Sequence, residues 1–106
     1  MTDDTAALAA ASPPEITAPD TAAFEAQLAA DGFAAVPKTV PADTVLPEHV
    51  HDFEARALVT AGEISITCDG ETRTYRAGEI FTMAQGKPHA ERIGPDGVSY
   101  VAGRRG

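Results

Sequence analysis

The fold of this chain is decided by the stretch Pro47-Glu48-His49-Val50-His51-Asp52-Phe53-Glu54. Side chains alternate faces along a β-strand, so His49 and His51 would point the same way, roughly 6 to 7 Å apart at the backbone. The β-branched residues on both sides favour a strand over a helix, in which residues two apart diverge. Two convergent imidazoles can chelate one divalent metal, and a third can complete the site. Histidines are also common on surfaces and in hydrogen-bonded cores, so this spacing alone leaves a structural role open.

The third histidine, His89, follows Gly86-Lys87-Pro88. From His49 to His89 the chain resembles the cupin superfamily, small β-barrels that usually hold a metal in their mouth. The two cupin motifs have the forms G-x5-H-x-H-x(3,4)-E-x6-G and G-x5-P-x-G-x2-H-x3-N. The positions that match them here are His49, His51, Gly62, Gly78, Gly86 and His89. The resemblance spans residues 43–93 and implies that the three histidines bind one divalent transition metal, namely zinc, iron, nickel, manganese or copper.

The chain departs from the motifs at Asp43, Ala55, Ala84 and Ile93, where glycine, glutamate, proline and asparagine are expected. The acid nearest to the glutamate position is Glu54, one residue early. A shift of one residue in a regular strand turns a side chain to the opposite face. We therefore predict three histidine ligands, with Glu54 away from the metal and paired with Arg56 or Arg76. A bulge after His51 is the alternative that would make Glu54 a ligand.

Four further residues are candidates for the site. Glu91 lies two positions after His89, so strand geometry places it near the metal, as a ligand, as an outer partner or as a general base. As one of 16 acids it is also a candidate for a solvated surface residue. Phe81 and Met83 share one face of their strand and, with Tyr100, are candidates to bind substrate. Core packing is the alternative fate of such residues.

Composition bounds the remaining possibilities. A chain of 106 residues suffices for one domain with one core. Its formal charge of −8 argues against a nucleic-acid partner, which requires clustered basic residues. No apolar run is long enough to span a membrane, and the acidic N-terminus does not resemble a signal peptide, so a cytoplasmic protein is expected. The single cysteine, Cys68, excludes an intrachain disulfide.

The order of elements predicts an all-β domain preceded by one helix. Residues 1–19, with Pro13, Pro14 and Pro19, are interpreted as a flexible arm, and residues 20–106 as the single domain. A helix over about 21–31 would be capped by Asp20 or Thr21, would place Phe24 and Leu28 on one face, and would end at Gly32. From residue 33 onward, turn residues separate short β-branched runs. The predicted strands are 33–40, 43–51, 54–60, 62–68, 71–76, 79–83, 88–93 and 98–103. Together with the resemblance they indicate a small cupin-like β-barrel, the double-stranded β-helix or jelly roll.

Two classes of function are compatible with this sequence. The resemblance implies a metal-dependent enzyme with dioxygenase-like or isomerase-like chemistry on a small organic molecule. The alternative is a non-catalytic sensor or binding module for a small molecule or a metal, which the missing glutamate at Ala55 supports. Cupins commonly pair, so we also expect a homodimer, with Leu58 and the arm before residue 20 as contributors.

Overall fold

The computed structural model describes residues 18–106 and shows one helix followed by antiparallel strands. The elements are α1 (Ala18–Ala30), β1 (Ala34–Val40), β2 (Val45–His49), β3 (Glu54–Cys68), β4 (Glu71–Arg76), β5 (Ile80–Met83) and β6 (His89–Arg105). The described part of the chain thus has six strands where the sequence predicted eight. Two predicted pairs, 54–60 with 62–68 and 88–93 with 98–103, each form one long strand. The all-β prediction is confirmed.

The two long strands organise the barrel. β3 and β6 pair with each other along most of their length, from Glu54 opposite Arg105 to Thr67 opposite Ala90. One half of this ribbon is flanked by β1 and β5, and the other half by β2 and β4. The result is two antiparallel layers that share bent strands, with a core between their inner faces.

Strand bends replace two of the predicted turns. The pairing of β3 with β6 shifts register on both sides of Gly62, which has a φ of 75°. A Cβ atom on Gly62 would overlap the carbonyl oxygen of Gly97, whose own φ is 76°. Glycine at these positions lets the two backbones cross closely, so the strands bend there while their pairing continues. The Gly94–Gly97 segment was therefore wrongly predicted to separate two strands.

Two tight turns need a left-handed backbone, and the sequence supplies it. Asp69 and Gly70 have φ values of 55° and 79° and connect β3 to β4, as a two-residue hairpin loop requires. Asp43 has a φ of 60°, and its N–H donates to the carbonyl of Gly94 over 3.1 Å. Asp43 stands where the first cupin motif has glycine, and aspartate is one of the few other residues that adopt this conformation readily.

Helix α1 packs on the outside of the barrel. Leu28 is fully buried and forms a small cluster with Phe24, Phe33 and Val101. The helix ends at Ala30, one residue before the predicted end, and Gly32 follows it with a φ of 82° as the predicted stop, while the N–H of Phe33 donates to the carbonyl of Leu28 over 2.8 Å. Its beginning differs, because α1 already includes Ala18.

Two predictions on the outer surface need correction. Asp20 and Thr21 lie inside the helix and do not cap it from outside. Leu58 is 6% exposed within the single chain, so it is not available as the dimer contact expected of it. The arm before residue 18 lies outside the described residues. In the described part, no helix is both long and apolar enough to cross a membrane.

Candidate metal centre

The rings of His49 and His51 converge, although only one of them belongs to a regular strand. β2 ends at His49, and His51 lies in the segment that follows. Their ring centroids are 4.9 Å apart. The carbonyl of His51 accepts a hydrogen bond from the N–H of Gly86 over 2.9 Å, which ties this segment to the loop that precedes His89.

His89 joins the pair from the first position of β6. It is the register partner of His49 across the β2–β6 pairing, and their ring centroids lie 4.3 Å apart. The centroid of His89 is 5.1 Å from that of His51. Its side chain is only 2% exposed, which makes it the most buried of the three imidazoles. The structure therefore brings together the three histidines that the sequence singled out.

Two of the imidazoles are oriented by the backbone. Nδ1 of His49 lies 2.8 Å from the carbonyl oxygen of Pro47, and Nδ1 of His89 lies 2.9 Å from that of Lys87. A carbonyl can only accept a hydrogen bond, so each Nδ1 carries the proton. The tautomer this sets leaves the Nε2 lone pair free, and such an orienting bond is typical of histidines that bind metals.

Glu91 supplies a carboxylate to the same point. Its Oε2 lies 3.2 Å from Nε2 of His89 and 3.4 Å from Nε2 of His49. One donor atom from each of these residues and from His51 lies within 4.8 Å of all the others. Glu91 is thus the carboxylate beside the imidazoles, as its position two residues after His89 in the strand predicts.

Glu54 lies elsewhere. Its Oε1 accepts a hydrogen bond from Nη2 of Arg105 over 2.7 Å, and it does not belong to the group of four donors. The predicted partners were wrong, because Arg56 binds Asp31 at 2.6 Å and Arg76 binds a different glutamate. The sequence could not identify Arg105, because that contact depends on the pairing of the two ends of β3 and β6.

A cavity of about 140 Å³ adjoins the four donors. Its apolar wall consists of Leu46, Phe53, Ala55, Ala57, Ile66, Phe81, Met83 and Ala102, and its other polar residues are Lys38, Tyr100 and Arg104. The three predicted substrate-binding candidates therefore all line it. Sequence reasoning missed Lys38 and Arg104. Strand parity could have suggested Arg104, because it lies four residues after Tyr100 on one strand.

Comparison with known families assigns the fold. Residues 38–96 match the family model described as a cupin domain, which is more than half of the chain. The chain belongs to the cupin family. No curated protein matches this cupin.

Solved structures with the same fold are numerous. A Rhizobium leguminosarum protein of unknown function is 21% identical with a TM-score of 0.66, and the match covers 71% of each chain. The DMSP lyase DddQ from Ruegeria pomeroyi is 28% identical with a TM-score of 0.63, over 72% of this cupin and 39% of the lyase. The Cnp3 cupin domain of Schizosaccharomyces pombe is 19% identical with a TM-score of 0.62, over 69% and 55%. This cupin thus spans well under half of the lyase and about half of the Cnp3 chain.

The electrostatics of the site suit metal binding. Burial lowers the pKa of His51, and the nearby imidazoles of His89 and His49 lower it further. The neutral imidazole that results is the form that binds metals. Burial also raises the pKa of Tyr100, so its hydroxyl remains a hydrogen-bond donor at neutral pH.

The spacing of Glu91 from His49 and His89 fits one metal ion. Donors held about 2.0 to 2.2 Å from one ion lie roughly 2.8 to 3.6 Å apart at adjacent positions. The distances of 3.2 and 3.4 Å from Oε2 of Glu91 to the two Nε2 atoms fall in this range. Imidazole and carboxylate donors together suit zinc, iron, nickel, manganese or copper.

Proposed function

We propose that this cupin holds one divalent transition metal through His49, His51, His89 and Glu91, and acts with it on a small organic molecule. The observation that carries the proposal is the convergence of four donor atoms within 4.8 Å at the wall of a cavity. When bound, such a metal supplies Lewis acidity to an oxygen atom of the ligand.

The protein's own residues prepare the site for that ligand. The carbonyls of Pro47 and Lys87 each accept from Nδ1 of one imidazole, which orients the Nε2 atoms of His49 and His89 before a metal binds. Phe81 and Met83 are each 9% exposed and present an apolar surface that excludes water from the ligand's organic part. The hydroxyl of Tyr100 lines the same cavity and can donate a hydrogen bond to the ligand.

Isomerase-like or lyase-like chemistry, without net oxidation, is the form we favour. The lyase from Ruegeria pomeroyi is 28% identical to this cupin, whereas the other two neighbours named above are at or below 21%. Dioxygenase-like chemistry is the competing form and requires a redox-active metal such as iron. A redox-inert metal such as zinc would therefore exclude the dioxygenase-like form, whereas iron is compatible with both and leaves the decision to a test for oxygen consumption.

One observation favours a second candidate, a non-catalytic binding module. Glu91 is the one carboxylate among the described residues that line the cavity, and it already lies against two histidines. If Glu91 binds the metal, no second carboxylate lining the cavity remains to act as a general base. A binding module would retain metal and ligand without turnover.

Elemental analysis of the purified protein tests the proposal. We expect about one transition-metal ion per chain in the wild type and loss of that ion in His51→Ala. His51 lies outside the regular strands, so the fold of the variant should survive, which circular dichroism would check. Wild-type protein that remains metal-free after incubation with each candidate metal would overturn the proposal. Metal-loaded protein is then tested for consumption of small organic molecules with and without oxygen. Turnover without oxygen indicates lyase-like or isomerase-like chemistry, turnover only with oxygen indicates dioxygenase-like chemistry, and binding without turnover indicates a binding module.

A further inference from the structure

Two cationic side chains line the same cavity as the four side chains proposed to bind the metal. They are Lys38 on β1 and Arg104 on β6. Lys38 is the register partner of Tyr100, and Arg104 follows Tyr100 by four residues, so all three lie on the inner face of one layer. On the neighbouring strand β3, Ala55 is the register partner of Arg104 and Ala57 that of Ala102, and these small side chains leave space beside the cations.

Within residues 18–106, neither cation forms an ion pair. All eight Lys and Arg residues belong to the described part of the chain. The four that form ion pairs there are Arg56, Arg76, Lys87 and Arg105. Lys38 and Arg104 have no carboxylate within 4.0 Å among the described residues, although acids outnumber bases by 16 to 8 in the sequence. Two of the four remaining cations thus border one cavity.

Arg104 is also held in place beside the histidines. Its guanidinium carbon lies 4.6 Å from the ring centroid of Phe53. That ring stacks on His51 with a centroid distance of 4.7 Å and an interplanar angle of 22°. A guanidinium held over an aromatic ring loses less freedom when it binds an anion, and its planar fork matches a carboxylate.

We infer that the ligand of this site is a small organic carboxylate, recognised by Arg104 and Lys38 while another of its oxygen atoms faces the metal-type donors. This inference rests on the proposed function and names the substrate class. The cavity of about 140 Å³ is close to the volume of about 150 Å³ that accommodates a benzene-sized molecule. A carboxylate with a short carbon chain fits it, and the apolar wall favours an organic body over an inorganic anion.

Glycolate and its neutral analogue glycolamide are suitable probes, because they differ in charge but hardly in shape. We expect metal-loaded protein to bind glycolate at least about tenfold more tightly than glycolamide in an NMR titration. Arg104→Gln and Lys38→Met should each weaken glycolate binding by about tenfold, at unchanged metal content. The matched control is Arg92→Gln, because Arg92 is also an arginine of β6 without an ion pair in the described structure but does not line this cavity.

Each outcome decides the inference. Equal binding of glycolate and glycolamide, or equal glycolate affinity in all three variants, would overturn it. Tighter binding of inorganic phosphate than of glycolate would overturn the choice of a carboxylate. If Arg104→Gln fails to fold, Arg104→Lys and Lys38→Met carry the test.

The same titration on metal-free protein separates this inference from the proposed function. If the protein holds stoichiometric metal but binds glycolate and glycolamide equally, the carboxylate inference is wrong and the proposed metal site stands. If the protein binds no metal but still prefers glycolate to glycolamide, the proposed metal site is wrong and the carboxylate inference stands.

Discussion

Replacing Glu91 by glutamine tests the metal centre most directly. The substitution keeps the size of the side chain and removes its charge. Because Oε2 of Glu91 lies 3.2 and 3.4 Å from two imidazole nitrogens, we treat it as the fourth ligand. Loss of a direct ligand should cost more than the 10- to 100-fold in metal affinity that is typical of outer partners. We therefore expect Glu91→Gln to raise the dissociation constant of the metal by at least about 100-fold.

Thermal unfolding converts this loss of affinity into a measurable shift. With free metal buffered at about 100 times the wild-type dissociation constant, binding stabilises the wild type by about 2.7 kcal/mol. A variant that binds about 100-fold more weakly gains only about 0.4 kcal/mol at the same concentration. For a domain of this size, 1 kcal/mol shifts Tm by about 4 to 8 °C. The metal should thus raise Tm by roughly 11 to 22 °C in the wild type and by roughly 2 to 3 °C in Glu91→Gln.

The matched control is Glu54→Gln, the same chemical change on a carboxylate that binds Arg105 instead. Its metal-induced rise in Tm should equal that of the wild type, because Glu54 is not among the convergent donors. Equal metal affinity in Glu91→Gln and wild type would refute the assignment of Glu91 as a ligand. A large loss in Glu54→Gln alone would show that the chain after His51 rearranges when metal binds.

Three further predictions test the fold. Gly62→Ala should destabilise the protein by about 1 to 3 kcal/mol or more in urea unfolding, because its Cβ meets the backbone of β6. In the control Gly70→Ala no atom lies within 4 Å of the new Cβ, so the protein should lose only the smaller cost of the positive φ. Equal losses of stability in the two variants would contradict the argument that two backbones cross closely at Gly62. Leu28→Ala should lose about 2 to 5 kcal/mol, because Leu28 is fully buried, yet retain its metal content, and loss of metal there would show that α1 shapes the site. The hydrogen bond from Arg56 lowers the pKa of Asp31 below 3.8, so this carboxylate stabilises the fold above that pH and the contribution disappears as the pH falls through the folded pKa. In acid unfolding the wild type should therefore lose more stability below about pH 3.8 than Asp31→Asn, and parallel curves would contradict this.

Local sequence determined much of the site because its histidines are close in the chain or belong to recognisable motifs. His49 and His51 are two residues apart, and Glu91 follows His89 by the same interval, so strand alternation predicts two pairs of convergent side chains, although His51 itself lies just beyond the end of β2. The hairpin at Asp69-Gly70 was equally predictable, because a two-residue loop needs a left-handed backbone that few residue pairs supply. These features depend on interactions within a few residues of each other.

Tertiary structure decided what depends on contacts between distant strands. Glu54 binds Arg105, and Lys38 faces the same cavity as Arg104, because β6 pairs with both β1 and β3. Glycine signals a local break in the chain, but whether the strand ends or only bends at Gly62 depends on the backbone that crosses it. The sequence thus determined the fold class and the pairing of donors within each motif. The register between strands brought the two motifs together and placed the cations beside them, because only long-range pairing sets which residues meet across a sheet.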